Sequence, residues 1–154
     1  MIQRIQTIWL AISAISSGFL LKGAIVKFMT GTGEGYFINI SGINRINDSV
    51  NEIISGSHLL TALLGLTLVF SVIAIFFFKS RKTQKKYTLL VVGLSVILLG
   101  LLIYQSYRII SIYNAEIIVG VKMFLPLIIL ISAIMAYRGI SKDDNLVKSY
   151  DRLR

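Results

Sequence analysis

Residues 57–78 read SHLLTALLGLTLVFSVIAIFFF, an apolar stretch without Asp, Glu, Lys or Arg. A helix that crosses the hydrocarbon core of a membrane, about 30 Å thick, needs roughly 20 residues of this kind. The stretch therefore predicts a membrane-spanning helix. The composition agrees, because 55% of the 154 residues are hydrophobic and only 15% are charged, whereas soluble domains carry about 25% charged residues.

Three further apolar stretches predict spans at about residues 5–26, 87–104 and 117–137. The first of them follows the start of the chain, but it is too long for the apolar part of a cleaved signal peptide, so we expect it to be retained. The sequence thus predicts an all-α membrane protein, a single domain over residues 1–154 built as a four-transmembrane-helix bundle.

Positive charge is distributed unevenly along the chain. Of the 16 Lys and Arg residues, 11 fall at Arg4, in residues 79–86 or in residues 138–154, and 5 fall elsewhere. Cytoplasmic segments of membrane proteins carry the excess of Lys and Arg. The pattern predicts that both termini and the turn between the second and third spans are cytoplasmic, with residues 27–56 as an outer loop. This topology accounts for the net charge of +9 without nucleic acid as a partner.

The outer loop contains GTGEG (residues 31–35) and then YFINISGI (residues 36–43). Glycines followed by β-branched and aromatic residues are typical of a strand or hairpin. We expect a small β-hairpin or sheet here, with IISIY (residues 109–113) as a possible neighbouring strand. GTGEG lacks the Lys-Ser/Thr ending of a phosphate-binding loop, so it is interpreted as a flexible loop.

Few residue types with catalytic or metal-binding chemistry are present. The chain has no cysteine and one histidine, His58, which excludes disulfides, thiolate metal sites and multi-histidine sites. His58 with Glu52 could form a proton-sensitive pair, but the favoured interpretation is a polar residue at the start of a helix. We therefore expect no enzyme activity, no metal and no cofactor.

The C-terminal residues have a pattern of their own. Ser141 and Asp144 are spaced like a capping box, and an apolar stripe follows at helical spacing. This predicts a short C-terminal amphipathic helix that docks on the lipid surface or on a protein partner. The stripe consists of Leu146, Val147, Tyr150 and Leu153.

A second predicted contact is the basic segment KSRKTQKK (residues 79–86), a tight cytoplasmic turn attracted to anionic lipid. Its basic residues are Lys79, Arg81, Lys82, Lys85 and Lys86. Small residues spaced for close helix approach predict helix packing, either within the bundle or against another membrane subunit. They are Ala14, Gly18, Thr61, Gly65, Gly93, Gly100, Ser132 and Ala136.

Both ends of the chain have a familiar pattern. The start MIQRIQTIWL, the basic segment after the second span and the ending KDDNLVKSYDRLR resemble an uncharacterised bacterial family, a domain of unknown function, of short four-span inner-membrane proteins. The resemblance covers nearly the whole chain by layout. It implies the inner membrane of a Gram-negative bacterium and an uncleaved N-terminus, and it implies no activity.

Two functional hypotheses remain. The first is a non-catalytic accessory or scaffold protein of the inner membrane that associates with other membrane proteins or with itself, in addition to the lipid bilayer. The alternative is a transporter or channel subunit for a small molecule or lipid, with its substrate passing near Lys122 and Pro126. A measurement of solute flux into liposomes distinguishes the two hypotheses, because only the transporter or channel would produce flux.

Overall fold

A computed structural model describes residues 3–31, 33–47, 50–56 and 58–152. These residues form four α-helices and five β-strands. The helices are α1 (Gln3–Leu20), α2 (His58–Phe76), α3 (Arg81–Tyr113) and α4 (Leu125–Arg152). The strands are β1 (Val26–Thr30), β2 (Gly35–Asn39), β3 (Gly42–Asn47), β4 (Val50–Gly56) and β5 (Ala115–Ile118). Two 3₁₀ turns, Phe77–Lys79 and Val121–Phe124, precede α3 and α4.

The four helices pack side by side, α1 and α3 each lying between α2 and α4. Their contacts contain small hydroxyl residues, which let helices approach closely. Most of these hydroxyls donate to a carbonyl of their own helix, as Ser17 does to Ser13 and Thr88 does to Gln84. One pair joins two helices, because the hydroxyls of Ser13 and Ser71 lie 3.2 Å apart. The buried polar groups of this layer thus serve helix packing.

The strands form one antiparallel sheet in the order β4-β3-β2-β1-β5. The first four strands lie between α1 and α2 and the fifth lies between α3 and α4, so the sheet sits at the end of the helices opposite the α2–α3 turn. Its residues alternate between two faces. Val26, Phe28, Tyr36 and Ile38 are buried against the helices, while Lys27 is exposed.

The prediction of an all-α bundle of four membrane-spanning helices with a small β-hairpin or sheet in its outer loops is wrong. The sheet has five strands. Among the described residues, three helices are long and apolar enough to cross a membrane, at His58–Phe76, Arg81–Tyr113 and Val121–Asn145. α1 is a shorter apolar helix, and its 18 residues extend about 27 Å. The predicted span's last residue, Val26, instead begins β1, and its side chain is buried.

The third and fourth predicted spans also had wrong boundaries. α3 begins at Arg81 within the basic segment and includes IISIY, which is therefore helical rather than a strand. Lys, Arg and Gln are good helix formers, and no proline interrupts this stretch. α3 ends only at Asn114, which adopts the left-handed conformation at φ 45° that stops helices. The chain then forms β5, so Ile117 does not begin a membrane span.

The prediction of a separate C-terminal amphipathic helix is also wrong. α4 runs without a break from Leu125 to Arg152, so Ser141 lies inside it and caps nothing. Pro126 occupies the first turn, where its missing N–H costs no helix hydrogen bond, so it helps to start α4. Of the predicted apolar stripe, Leu153 and the side chains of the other three residues lie outside the described part of the structure.

Candidate functional site

A polar cluster lies on the helix-facing side of the sheet, where β2 and β3 pair. Tyr36 stands directly opposite Arg45 in this register. Arg45 forms an ion pair with Glu34, and its guanidinium carbon lies 6.0 Å from the centre of the Tyr36 ring. The Tyr36 hydroxyl donates to Glu34 at 2.9 Å. Three side chains from one hairpin are thereby fixed against one another.

The cluster also joins the sheet to the helices. The Tyr36 ring stacks on Tyr113 at the end of α3, with 4.5 Å between the ring centres. Burial raises the pKa of Tyr36 above its ordinary value of 10.0, and the hydrogen bond to Glu34 raises it further. The phenol therefore stays protonated and remains a donor at neutral pH. This arrangement positions the sheet on α3.

The described residues show no group of three or more His, Cys, Asp or Glu that could hold a metal ion. The polar cluster contains a single carboxylate, Glu34, which already accepts from Tyr36 and Arg45. The cluster therefore has a structural role, because its ion pair and hydrogen bond hold Glu34, Tyr36 and Arg45 together.

The sheet has two edges, and β4 forms the longer one with seven residues. It pairs with β3 alone, so its outer backbone groups face no other strand of the sheet. A register irregularity between Ile43 and Asn44 leaves Ile54 of β4 without a cross-strand partner, and its side chain is 43% exposed. Open edge strands are templates for a strand from another chain.

Comparison with known protein families gives a match that covers nearly the whole chain. Residues 2–153 match the family described as a domain of unknown function (DUF4293). The chain belongs to this family. The predicted resemblance to an uncharacterised family is thereby confirmed, and the match treats nearly all of this DUF4293 chain as one unit. No curated protein and no solved structure matches it.

The five basic residues of the basic segment (residues 79–86) of the DUF4293 chain lie in and just before the first turns of α3. Lys82 and Lys86 are exposed, and Lys85 lies 5.6 Å from the centre of the Tyr137 ring on α4. Arg81 is half-buried, and the side chain of Lys79 lies outside the described part of the structure. The segment thus forms a charged helix start, not a loop, at the end of the molecule opposite the sheet.

The predicted small-residue positions do not share one environment. A side chain added at Gly65, Gly93 or Gly100 would meet nothing within 4 Å. Gly18 lies against Leu68, and Ala14 is half-buried beside it on α1. Ser132 and Ala136 are buried in α4, and Thr61 donates to the Ile40 carbonyl at 2.6 Å, which joins α2 to the β2–β3 turn. Gly65, Gly93 and Gly100 therefore have room for a neighbouring helix beside them, and their role in docking stays a prediction.

His58 begins α2 and is exposed, whereas the side chain of Glu52 lies outside the described part of the structure. The proton-sensitive pair stays a prediction.

The sequence analysis did not predict two long-range hydrogen bonds. At the sheet, Lys122 donates to the Lys22 carbonyl at 2.7 Å across a separation of 100 residues. At the opposite end, Gln6 of α1 donates to Asp143 of α4. The isolated lysines near two predicted span ends were the only signal for the first contact, and nothing in the sequence pairs Gln6 with Asp143.

Proposed function

We propose that this protein is a non-catalytic accessory protein of the bacterial inner membrane that associates with other membrane proteins through the open edge of its sheet. The observation that carries the proposal is β4, a seven-residue strand at the sheet edge that pairs on one side only. Strand addition gives affinity through backbone hydrogen bonds and needs no catalytic group. A second copy of the chain would use the same edge.

The proposed orientation places both chain ends and the start of α3 in the cytoplasm and the sheet on the outer side. The supporting observations are the helix connections, which put the sheet and the basic segment at opposite ends, and the sequence count, in which 11 of 16 Lys and Arg residues belong to Arg4, residues 79–86 or residues 138–154. The positive-inside rule assigns that end to the cytoplasm.

Single cysteines test the orientation without background, because the chain has none of its own. Met29→Cys, on the exposed face of β1, should react with a membrane-impermeant maleimide in spheroplasts. Lys82→Cys, at the start of α3, should react in inverted inner-membrane vesicles and not in intact spheroplasts. Detergent-opened membranes control for reactivity, since both variants should label there. Labelling of Lys82→Cys in intact spheroplasts would contradict the orientation.

The same cysteine-free chain tests the association. A photocrosslinker attached at Ile54→Cys on β4 should yield an adduct with another membrane protein, or one at the mass of two copies. The matched position Met29→Cys, also about half exposed but on an inner strand, should give at least about tenfold less. Equal adducts from both positions would contradict edge pairing. A monodisperse monomer without adducts that drives solute flux into liposomes would favour the transporter alternative.

A further inference from the structure

A cavity of about 430 Å³ lies beside the other edge of the sheet, between β1, the end of β5 and the 3₁₀ turn that precedes α4. Two lysines line it, Lys27 from β1 and Lys122 from the turn. Lys27 stands directly opposite Ile118 in the β1–β5 register. The cavity thus brings together two cations that are far apart in the sequence.

The ammonium group of Lys122 is held in position. It donates to the Lys22 carbonyl at 2.7 Å, which uses one of its three hydrogens and leaves two. The chain bends around it at Gly23, which has φ +75°, a conformation that favours glycine. A Cβ at Gly23 would lie 3.1 Å from Lys122 Nζ. The backbone here fits closely around the cation.

Among the described residues, neither Lys27 nor Lys122 lies within 4.0 Å of a carboxylate oxygen. Glu116, on the same strand as Ile118, stands opposite Met29 and makes no ion pair with either lysine. A site with two unpaired ammonium groups and a preset hydrogen-bond donor suits a phosphate group.

The surroundings indicate where that phosphate comes from. Apolar side chains next to Lys122 are strongly exposed, Val119 by 70%, Val121 by 85% and Phe124 by 52%. They directly precede or begin the candidate span Val121–Asn145, so they lie at the height of a membrane surface. Apolar residues with lysines among them are typical of a membrane interface.

A second, largely apolar cavity lies on the opposite face of the β1–β5 pair. It has a volume of about 370 Å³ and runs along α3 past Leu99, Ile103 and Ile110 to Met123 and Pro126. The two cavities are separated by one strand pair, since Ile117 lines one and Ile118 lines the other. Because β5 is the edge strand, the acyl chain of a lipid with its phosphate beside Lys122 would pass around this edge to reach the apolar groove.

We infer that Lys27 and Lys122 form a binding site for the phosphate of an anionic phospholipid, whose acyl chain lies in the groove along α3. Binding of this kind fixes the sheet at the membrane surface. It is a property of the chain alone and does not depend on a protein partner.

The test uses the purified full chain in detergent micelles and counts retained lipids by native mass spectrometry. Phosphatidylglycerol should be retained in preference to phosphatidylcholine, and millimolar inorganic phosphate should not displace it. The double variant Lys27→Gln/Lys122→Gln should weaken phosphatidylglycerol binding by about fivefold per lysine, the change expected for about 1 kcal/mol per basic residue near a membrane surface. Both residues lie on the surface, so we expect the variant to fold.

The control removes the same charge elsewhere. Arg138→Gln/Lys142→Gln, at exposed positions of α4 outside the basic segment, should leave the preference unchanged, and Lys122→Arg should retain most of it. Ile103→Trp, which fills the apolar groove from an exposed position, should also weaken binding. Equal losses in the two double variants, or no preference in the unaltered chain, would overturn the inference. Displacement by inorganic phosphate would overturn the lipid as the source.

Discussion

Phe28→Ala is expected to lower the free energy of unfolding of the sheet by about 3–5 kcal/mol, the range for removing a buried aromatic side chain. Phe28 is 1% exposed and is the largest fully buried side chain. It belongs to a cluster that joins the sheet to all four helices through Leu20, Leu60, Leu98 and Ile129. The cavity left by alanine would lie between the sheet and the helices, where both layers lose their contacts.

The measurement is hydrogen exchange of the sheet amides in detergent, since exchange reports the free energy of local opening. Amides of β2, which pairs with β1, should lose protection, while those in the middle of α2 should change little. Met29→Ala, at the adjacent position with a 51% exposed side chain, should stay within about 0.5 kcal/mol of the unaltered protein. Similar losses from both substitutions would mean that the sheet is not held through its buried face.

The same substitution bears on the proposed association. A sheet loosened from the helices presents β4 less rigidly, and ordering it again costs binding free energy. Phe28→Ala should therefore reduce the adduct from Ile54→Cys, whereas Met29→Ala should not. An unchanged adduct would place the contact on another part of the protein.

The part of the fold that the sequence predicts best is α2. The apolar stretch at residues 57–78 corresponds to a helix at His58–Phe76, because an uninterrupted apolar run of this length has no other stable form in a membrane. The same reasoning failed at residues 25–26, where the apolar run continues past Lys22 into β1. A short apolar run fits a buried strand as well as a helix, and here a bend that includes Gly23, with its positive φ, lies between α1 and β1.

The predicted ends of α3 and α4 were wrong because polar residues were interpreted as the ends of helices. Charged and polar residues at both ends of α3 were interpreted as loops, yet a helix continues wherever no residue stops it. α3 has 33 residues, about 50 Å at 1.5 Å per residue, which exceeds the hydrocarbon core. The polar ends extend beyond the apolar middle. Hydropathy thus locates the segment that fits the membrane, but not the ends of the helix.

The candidate sites depend on pairings that no local pattern contains. Glu34 and Arg45 meet because the β2–β3 hairpin sets their register, and a register shifted by one residue would place Arg45 on the other face. Lys27 reaches the cavity of Lys122 because β5, whose last two residues were predicted to begin the fourth span, pairs with β1. A wrong assignment of Ile117 and Ile118 therefore concealed the site.

The contact between Gln6 and Asp143 changes how the C-terminal residues should be tested. Gln6 is 4% exposed and donates its amide to Asp143, and Asp144 beside it is 9% exposed. A Cβ at Gly139, one turn earlier on α4, would lie 3.0 Å from Gln6 Cγ, which shows how closely α1 and α4 approach here. The first part of the tail therefore belongs to the packed helices.

Truncation after Ser141 is accordingly expected to lower the free energy of unfolding by about 1–3 kcal/mol, because the buried Gln6 amide loses its acceptor. Truncation after Asn145 keeps Asp143 and Asp144 and should cost less than about 1 kcal/mol, the scale of fraying at a helix end. Asp143→Ala in the full-length chain should reproduce most of the larger loss. Thermal unfolding in detergent compares the three variants.

The pair of truncations then separates anchoring from docking. If the chain that ends at Asn145 keeps its stability but loses its crosslinked partner, the residues after Asn145 contact that partner. If it keeps both, the association needs only the sheet edge. Equal stability of the two truncated chains would contradict a structural role for the Gln6–Asp143 bond. A cut after Ser141 alone cannot make this distinction, because it removes a helix contact and the tail together.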